Sequence, residues 1–195
     1  MNYLAHAYLS FNQPEILAGN MISDFIKGKK RFDFNKDIQK GIMLHRSIDA
    51  FTDAHETTKQ AKQFLKPAVG LYAGAFIDVA YDHFLALDKN EFTDESLVQF
   101  SLNVYTTLDN FQSILPGNFA RMFPYMKSDN WLYNYSTLNG IEKSFNGVAR
   151  RAKYLEDSRS VFELFQKNYT ALKECYEDFF IDVKRFAYKE FIAMN

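Results

Sequence analysis

Imidazoles and carboxylates recur in this chain where helical spacing asks for apolar residues. On a helix turning about 100° per residue, Ile38, Ile42, His45, Asp49 and Thr52 fall on one narrow line, and Leu44, Ile48 and Phe51 widen its apolar side. The same oddity returns further on. Leu71, Ala75, Asp78, Asp82 and Leu85 form a second line, with two aspartates one turn apart among Phe76, Ile77, Val79 and Phe84, and His83 directly after them. Asp24 lies among Ile16, Leu17, Met21, Ile22 and Phe25, and His6 among Leu4, Ala5, Ala7 and Leu9. Like charges four residues apart on a helix repel, and a buried carboxylate without a partner is costly. A cation shared between the segments resolves both problems. Helical bundles build metal sites in this way, from side chains projecting inward from facing helices.

His6, Asp24, His45, Asp78 and Asp82 are therefore the candidate metal ligands. A set of imidazoles and carboxylates without thiolates suits Mn(II), Mg(II), Fe(II) or Zn(II), and its oxygen-rich balance leans toward Mn(II) or Mg(II). Such an ion offsets carboxylate charge, lowers the pKa of a bound water and clamps a phosphoryl oxygen. Each residue alone has a plainer explanation: His6 as a hydrogen-bonded core histidine, Asp49 paired with Arg46, Asp53 paired with a lysine. Four segments sharing one pattern favour the metal.

The elements that must carry these residues read as helices. Helical spacing predicts a short helix from about Asn2 to Ser10 and a second from Pro14 to about Lys27, stopped by Gly28. The stretch KGKKRFDFN is a basic connector, read as a solvated loop or as a landing site for an acidic partner. Asn35 is placed to cap a central helix reaching about Asp53. A linker or short helix follows from Glu56 to Lys66, then a helix opened by Pro67 and running to about Leu87, and one capped by Thr93 and running to about Leu115. Residues 117–147, broken by Pro124, Gly140 and Gly147, read as short helices and loops; residues 158–193 read as one long helix. No segment alternates as a half-buried strand does. The expected fold is all-α, one domain over residues 1–195.

Composition narrows the function. The chain has 195 residues, 47% apolar, with 20 Phe and 12 Tyr, which suits a folded core. A net charge of −1 gives no electrostatic case for nucleic acid. The single cysteine, Cys175, excludes an internal disulfide and any multi-cysteine metal site. The opening MNYLAHAYLSF has no basic leader, and no apolar run reaches the roughly 18 residues of a membrane span. A cytoplasmic protein without membrane contact is expected. P-loop, GxGxxG, GxSxG and HExxH motifs do not occur.

Six stretches together resemble the acyl carrier protein phosphodiesterase family: MNYLAHAYLS, GNMISDFIKG (Gly19 to Gly28), GIMLHRSIDAFTDAH (Gly41 to His55), Asp78-x-x-x-Asp82-His83-Phe84, Trp131-Leu132 and FNGVARR (Phe145 to Arg151). They cover about the first four-fifths of the chain. The resemblance implies a helical bundle distantly related to the HD metal-dependent phosphohydrolases. It implies hydrolysis of holo-acyl carrier protein to apo-protein and 4′-phosphopantetheine, with Mn(II) as the ion. The wider HD pattern uses an adjacent His-Asp doublet. Here the only doublet is reversed, Asp82-His83, and one turn separates His45 from Asp49.

In that reaction a metal-activated water attacks phosphorus in line, and the leaving serine oxygen needs a general acid. His83 and His55 are the candidates, with Asp49 or Asp53 orienting one of them, and Arg46 suits the non-bridging oxygens. An acidic carrier protein would dock on Lys27, Lys29, Lys30 and Arg31, or on Arg150, Arg151 and Lys153. Rival readings are a phosphohydrolase of nucleotides or other small phosphate esters, a non-catalytic helical module that binds carrier protein, and a purely structural metal.

Overall fold

Residues 1–194 are described by a computed structural model. Helical spacing becomes helix almost throughout, and no strand occurs among the described residues. The helices are α1 (Tyr3–Tyr8), α2 (Pro14–Ile22), α3 (Lys36–Ala54), α4 (Glu56–Val69), α5 (Ala73–Leu87), α6 (Asp94–Asp109), α7 (Gly117–Ser128), α8 (Trp131–Asn134), α9 (Leu138–Arg151), α10 (Arg159–Lys167) and α11 (Tyr169–Met194). The fold is all-α, as expected.

The expected caps are in place. The Asn35 side chain accepts from the Ile38 amide at 2.9 Å, and Thr93 exchanges two hydrogen bonds with Ser96 at the start of α6. Boundaries differ where a turn residue was misjudged. α2 stops at Ile22 and tightens into a 3-10 turn, Ser23–Phe25, which swings Asp24 off the helix. Pro67 does not open α5. It sits in the last turn of α4, held by the burial of Ala61, Leu65 and Val69, and Gly70 at φ 53° makes the break instead. α6 ends at Asp109, short of Leu115. The long C-terminal helix is two, parted at Asn168, whose side chain donates back to the Leu164 carbonyl.

α5 runs through the middle of the core, packed against α1, α4, α9 and α11. Its Phe76, Tyr81 and Phe84 are fully buried with Phe145, Phe165 and Phe179 from the surrounding helices. Aromatic edges meet faces there: Phe76 on Phe145 at 5.0 Å and Phe84 on Tyr169 at 5.1 Å.

Two glycines decide how closely α2 and α3 cross. A Cβ on Gly19 would lie 2.1 Å from the Ile38 carbonyl oxygen, and one on Gly41 would lie 2.2 Å from that of Ile16. No side chain fits at either position. The backbones therefore touch, and one turn further along, the carbonyl of Asn20 on α2 reaches the His45 ring on α3.

Candidate metal centre

His45 is buried and fixed by that contact: its Nδ1 lies 2.9 Å from the Asn20 carbonyl oxygen. A carbonyl only accepts, so Nδ1 carries the hydrogen and Nε2 is turned outward. Nε2 lies 3.1 Å from a carboxylate oxygen of Asp24 and 3.1 Å from one of Asp49. His6, from α1, stacks on His45 with ring centroids 3.9 Å apart and planes 16° from parallel. Its Nε2 reaches the other oxygen of Asp49, again at 3.1 Å. Asp49 thus takes one imidazole on each oxygen. The backs of the rings are buried, whereas the Asp24 and Asp49 side chains are 68% and 40% exposed. The cluster is closed behind and open in front.

α1 is held in place by Asp82. Both its carboxylate oxygens are spent on backbone amides: Oδ1 accepts from Asn2 and Ala5, and Oδ2 from Leu4 at 2.7 Å. These are the unsatisfied donors of the α1 N-terminus, and a buried carboxylate answers them well. Asp82, expected among the ligands, is here the anchor of the helix that carries His6. Asp78, one turn earlier, pairs with the Met1 amino group at 2.8 Å, and the same amino group stands 3.8 Å from Asp49.

Burial and neighbours pull the two rings apart. Burial opposes charge on His45, but hydrogen bonds to Asp24 and Asp49 outweigh it and raise its pKa to about 9. Burial and the adjacent His45 charge push His6 down to about 4, against the pull of Asp49. The hydrogen bond from His45 holds Asp24 below the usual carboxylate range; Asp49 lies far below it, because bonds from both imidazoles overcome its burial. Burial raises Asp78, and raises Asp82 to about 7.

The residues fit a divalent ion. His6, His45 and Asp49 each offer one ligand atom within 4.8 Å of the others. An ion bound at about 2.0–2.2 Å sets adjacent ligands about 3 Å apart, the spacing found around Asp49. The ring nitrogen facing away from the cluster on His45 is hydrogen-bonded to a carbonyl, as in metal-ligating histidines generally.

The family described as acyl carrier protein phosphodiesterase matches residues 1–183. The chain belongs to the acyl carrier protein phosphodiesterase family. Among its relatives, the acyl carrier protein phosphodiesterase of Enterobacter sp. (strain 638) is 29% identical over 181 residues, covering 92% of this chain and 94% of the relative. That of Klebsiella pneumoniae (strain 342) is 29% identical over 188 residues, covering 96% and 97%. No solved structure matches the chain.

Other expected residues of this family member stand elsewhere. His83 is buried, with Nδ1 2.6 Å from the Tyr135 carbonyl oxygen and Nε2 2.8 Å from the Tyr169 hydroxyl. His55 packs edge-on to Phe179 and lies 3.4 Å from Asp182 of α11. Asp53 pairs with Lys62 at 2.7 Å. Arg46 donates to the Ile26 carbonyl at 2.9 Å, bracing the turn that presents Asp24. Lys27, Lys29 and Lys30 are exposed just beyond that turn, and Arg31 reaches the Met43 sulfur. Arg150, Arg151 and Lys153 are exposed at the end of α9 and just beyond it. Sequence reasoning gave Asp49 an orienting role and passed over Asn20. Asp49's place on the His45 line was the available signal for the first; nothing marked the second.

Proposed function

We propose that this chain hydrolyses the phosphodiester joining 4′-phosphopantetheine to acyl carrier protein, using a divalent ion held by His6, Asp24, His45 and Asp49, with Asp78 beside them. Family membership supports the reaction class and the carrier-protein substrate. The observation that carries the metal is the convergence of two stacked, buried imidazoles on the two oxygens of Asp49. When bound, the ion would neutralise the clustered carboxylates, polarise a phosphoryl oxygen and lower the pKa of a water. Mn(II) is the first choice, with Mg(II) and Fe(II) behind it.

The chain's own groups divide the remaining work. Asn20 sets the His45 tautomer, Asp82 holds α1 so that His6 meets Asp49, and Arg46 steadies the turn of Asp24. The exposed edges of Asp24 and Asp49 favour an open, catalytic site over a closed structural one. The leaving serine oxygen needs a proton. His83 has both ring nitrogens engaged in the core, whereas His55 Nε2 lies at an exposed, long contact with Asp182, which favours His55 as donor. Lys27, Lys29 and Lys30 border the turn of Asp24 and suit an acidic carrier protein. A carrier-protein substrate supports a cytoplasmic reaction, and no helix among the described residues is long and apolar enough to cross a membrane.

Intact-mass measurement tests the reading. Holo-acyl carrier protein incubated with the protein and Mn(II) should lose one phosphopantetheine unit. Chelator, or Asp24→Ala at this exposed position, should abolish the loss. An unchanged mass with every divalent ion tried, on folded protein, sinks it.

A further inference from the structure

A cavity opens beside the chain segment that leads into α1 and its His6. It has a volume of about 370 Å³ and lies between α9, α8 and the chain entering α1. α9 turns two different faces outward and inward. Ile141, Phe145, Val148 and Ala149 are buried in the core. Gly140, Lys143, Ser144, Gly147, Arg150 and Arg151 recur at helical spacing and line the cavity. Trp131, Tyr135, Asn2 and Tyr3 form the facing wall.

Tyr3 links this space to the cluster. Its hydroxyl donates to the Met122 sulfur at 3.8 Å, and it interacts electrostatically with Arg151 of the cavity wall and Asp24 of the cluster. The chain entering α1 makes a second link: on the cavity side the Asn2 amide side chain donates to the Tyr135 hydroxyl at 3.1 Å, and the amino group of the preceding Met1 stands 3.8 Å from Asp49. A molecule in the cavity can therefore present one end to the metal ligands.

The lining is selective in kind. Three cations on one wall call for an anion, and Arg151, beside Tyr3, is the one tied to the cluster end. Asp129 is the one carboxylate of the lining, outnumbered by the cations, and aromatic rings and neutral amide and hydroxyl groups supply the rest, which suits a chain carrying its own amides and methyls and little charge. Free inorganic phosphate would leave the aromatic wall uncovered. The volume falls within the range of small-molecule sites, about 300–1,000 Å³.

We propose that this cavity receives the 4′-phosphopantetheine arm, its phosphate toward Arg151 and the cluster and its amide chain along α9 and Trp131. The assignment rests on the phosphodiesterase reading and adds to it the residues that select the prosthetic group. Gly147 has a specific place in it. A Cβ added there meets nothing within 4 Å, so the position opens onto the cavity. Its φ is not positive, so a side chain is tolerated by the helix. Gly147 is the point at which the arm passes closest to α9.

Trp131 is the single tryptophan of the chain, so its fluorescence reports the cavity alone. Titration of the full-length protein with 4′-phosphopantetheine should change its emission saturably. Pantetheine lacking phosphate should bind at least tenfold more weakly, and inorganic phosphate at equal concentration should give no change. Gly147→Phe should abolish the response and cut kcat/KM on holo-carrier protein at least tenfold. It should leave metal-dependent cleavage of bis(4-nitrophenyl) phosphate intact. Arg151→Ala, at an exposed position, should weaken 4′-phosphopantetheine tenfold and pantetheine little, which keeps the test open if the phenylalanine variant fails to fold. Absence of any fluorescence response in the wild type, or full activity of Gly147→Phe on carrier protein, overturns the assignment. So does tighter binding of a nucleotide monophosphate in the same titration. A wild type that responds to 4′-phosphopantetheine but leaves holo-carrier protein uncut keeps the cavity assignment and strikes the reaction.

Discussion

Two histidine–aspartate pairs lie in the core of this protein, and they are put to opposite uses. Around His83, every valence is spent. Its ring gives a hydrogen to the Tyr135 carbonyl and takes one from the Tyr169 hydroxyl, and burial holds it neutral. Its neighbour Asp82, wholly buried, has both oxygens on backbone amides. Around His45, the backbone takes only Nδ1. Nε2 faces two carboxylates, His6 crowds alongside, and the acids reach solvent. In sequence the pairs look alike. The difference lies in ligand atoms that pair only with one another at one point near solvent, and a metal is what such a point can take.

The sharpest way to break the contrast is Asp49→Asn, which keeps the shape and removes the charge that both imidazoles share. Hydrolysis of holo-carrier protein should fall at least 10³-fold, and bound Mn(II), measured by elemental analysis, should drop below one-tenth of the wild-type content. Retention of full metal and rate would make this cluster no different from the one around His83.

Asp82→Ala should act on the fold. It strands three buried amides at the start of α1, at a cost of about 3 kcal/mol or more, read as a lower denaturation midpoint. Asp82→Asn keeps an acceptor and should recover part of that loss. If Asp82→Ala instead removed metal at unchanged stability, Asp82 would belong with the ligands.

The pH dependence separates the pairs again. In chelated protein His45 titrates near 9 and its unfolded form near 6.5, so the folded state holds an extra proton between those values. Its stabilising contribution is complete below 6.5 and is lost as pH rises through 9. His6 works in the other direction: the unfolded chain takes its proton first, so stability falls as pH drops from 6.5 toward 4. The pair therefore gives greatest stability near pH 6.5, with an alkaline limb on the order of 3 kcal/mol. Thermal midpoints in chelator from pH 4 to 9.5 should show it, and His45→Gln should remove the alkaline limb. Saturating metal should remove it too, because both rings then bind unprotonated.

Much of this was legible in the chain. Spacing placed His45 and Asp49 on one inward line, and Asn35 and Thr93 announced the helices they cap. Spacing also put the line from Leu71 to Leu85 inward, which holds for Asp82 and Leu85; Leu71 and Ala75 face solvent, because the chain turns at Gly70 to Tyr72 just before α5, and the Asp78 side chain is 34% exposed. What each carboxylate spends its oxygens on was not legible, because the partners of Asp82 lie 77–80 residues away in sequence. The close crossing at Gly19 and Gly41 was equally hidden. A glycine in a helical pattern marks a stop or a contact, and only the packing tells which. Trp131-Leu132 and FNGVARR were visible as motifs, but only the fold sets them on two walls of one cavity.

The smallest effect belongs to His83. His83→Gln retains a donor and an acceptor near the Tyr135 carbonyl and the Tyr169 hydroxyl, so the loss should be about 1–2 kcal/mol, mostly from imperfect fit in the aromatic shell of Phe84 and Phe165. Metal content, the rate on carrier protein and both pH limbs should remain those of the wild type. A rate loss of a hundredfold or more with stability intact would mean that the closed pair opens during turnover, and His83 would return as the proton donor in place of His55. A stability change with the rate untouched leaves His83 as the pin that joins α5 to Tyr135 and Tyr169, and leaves the chemistry to the cluster around Asp49.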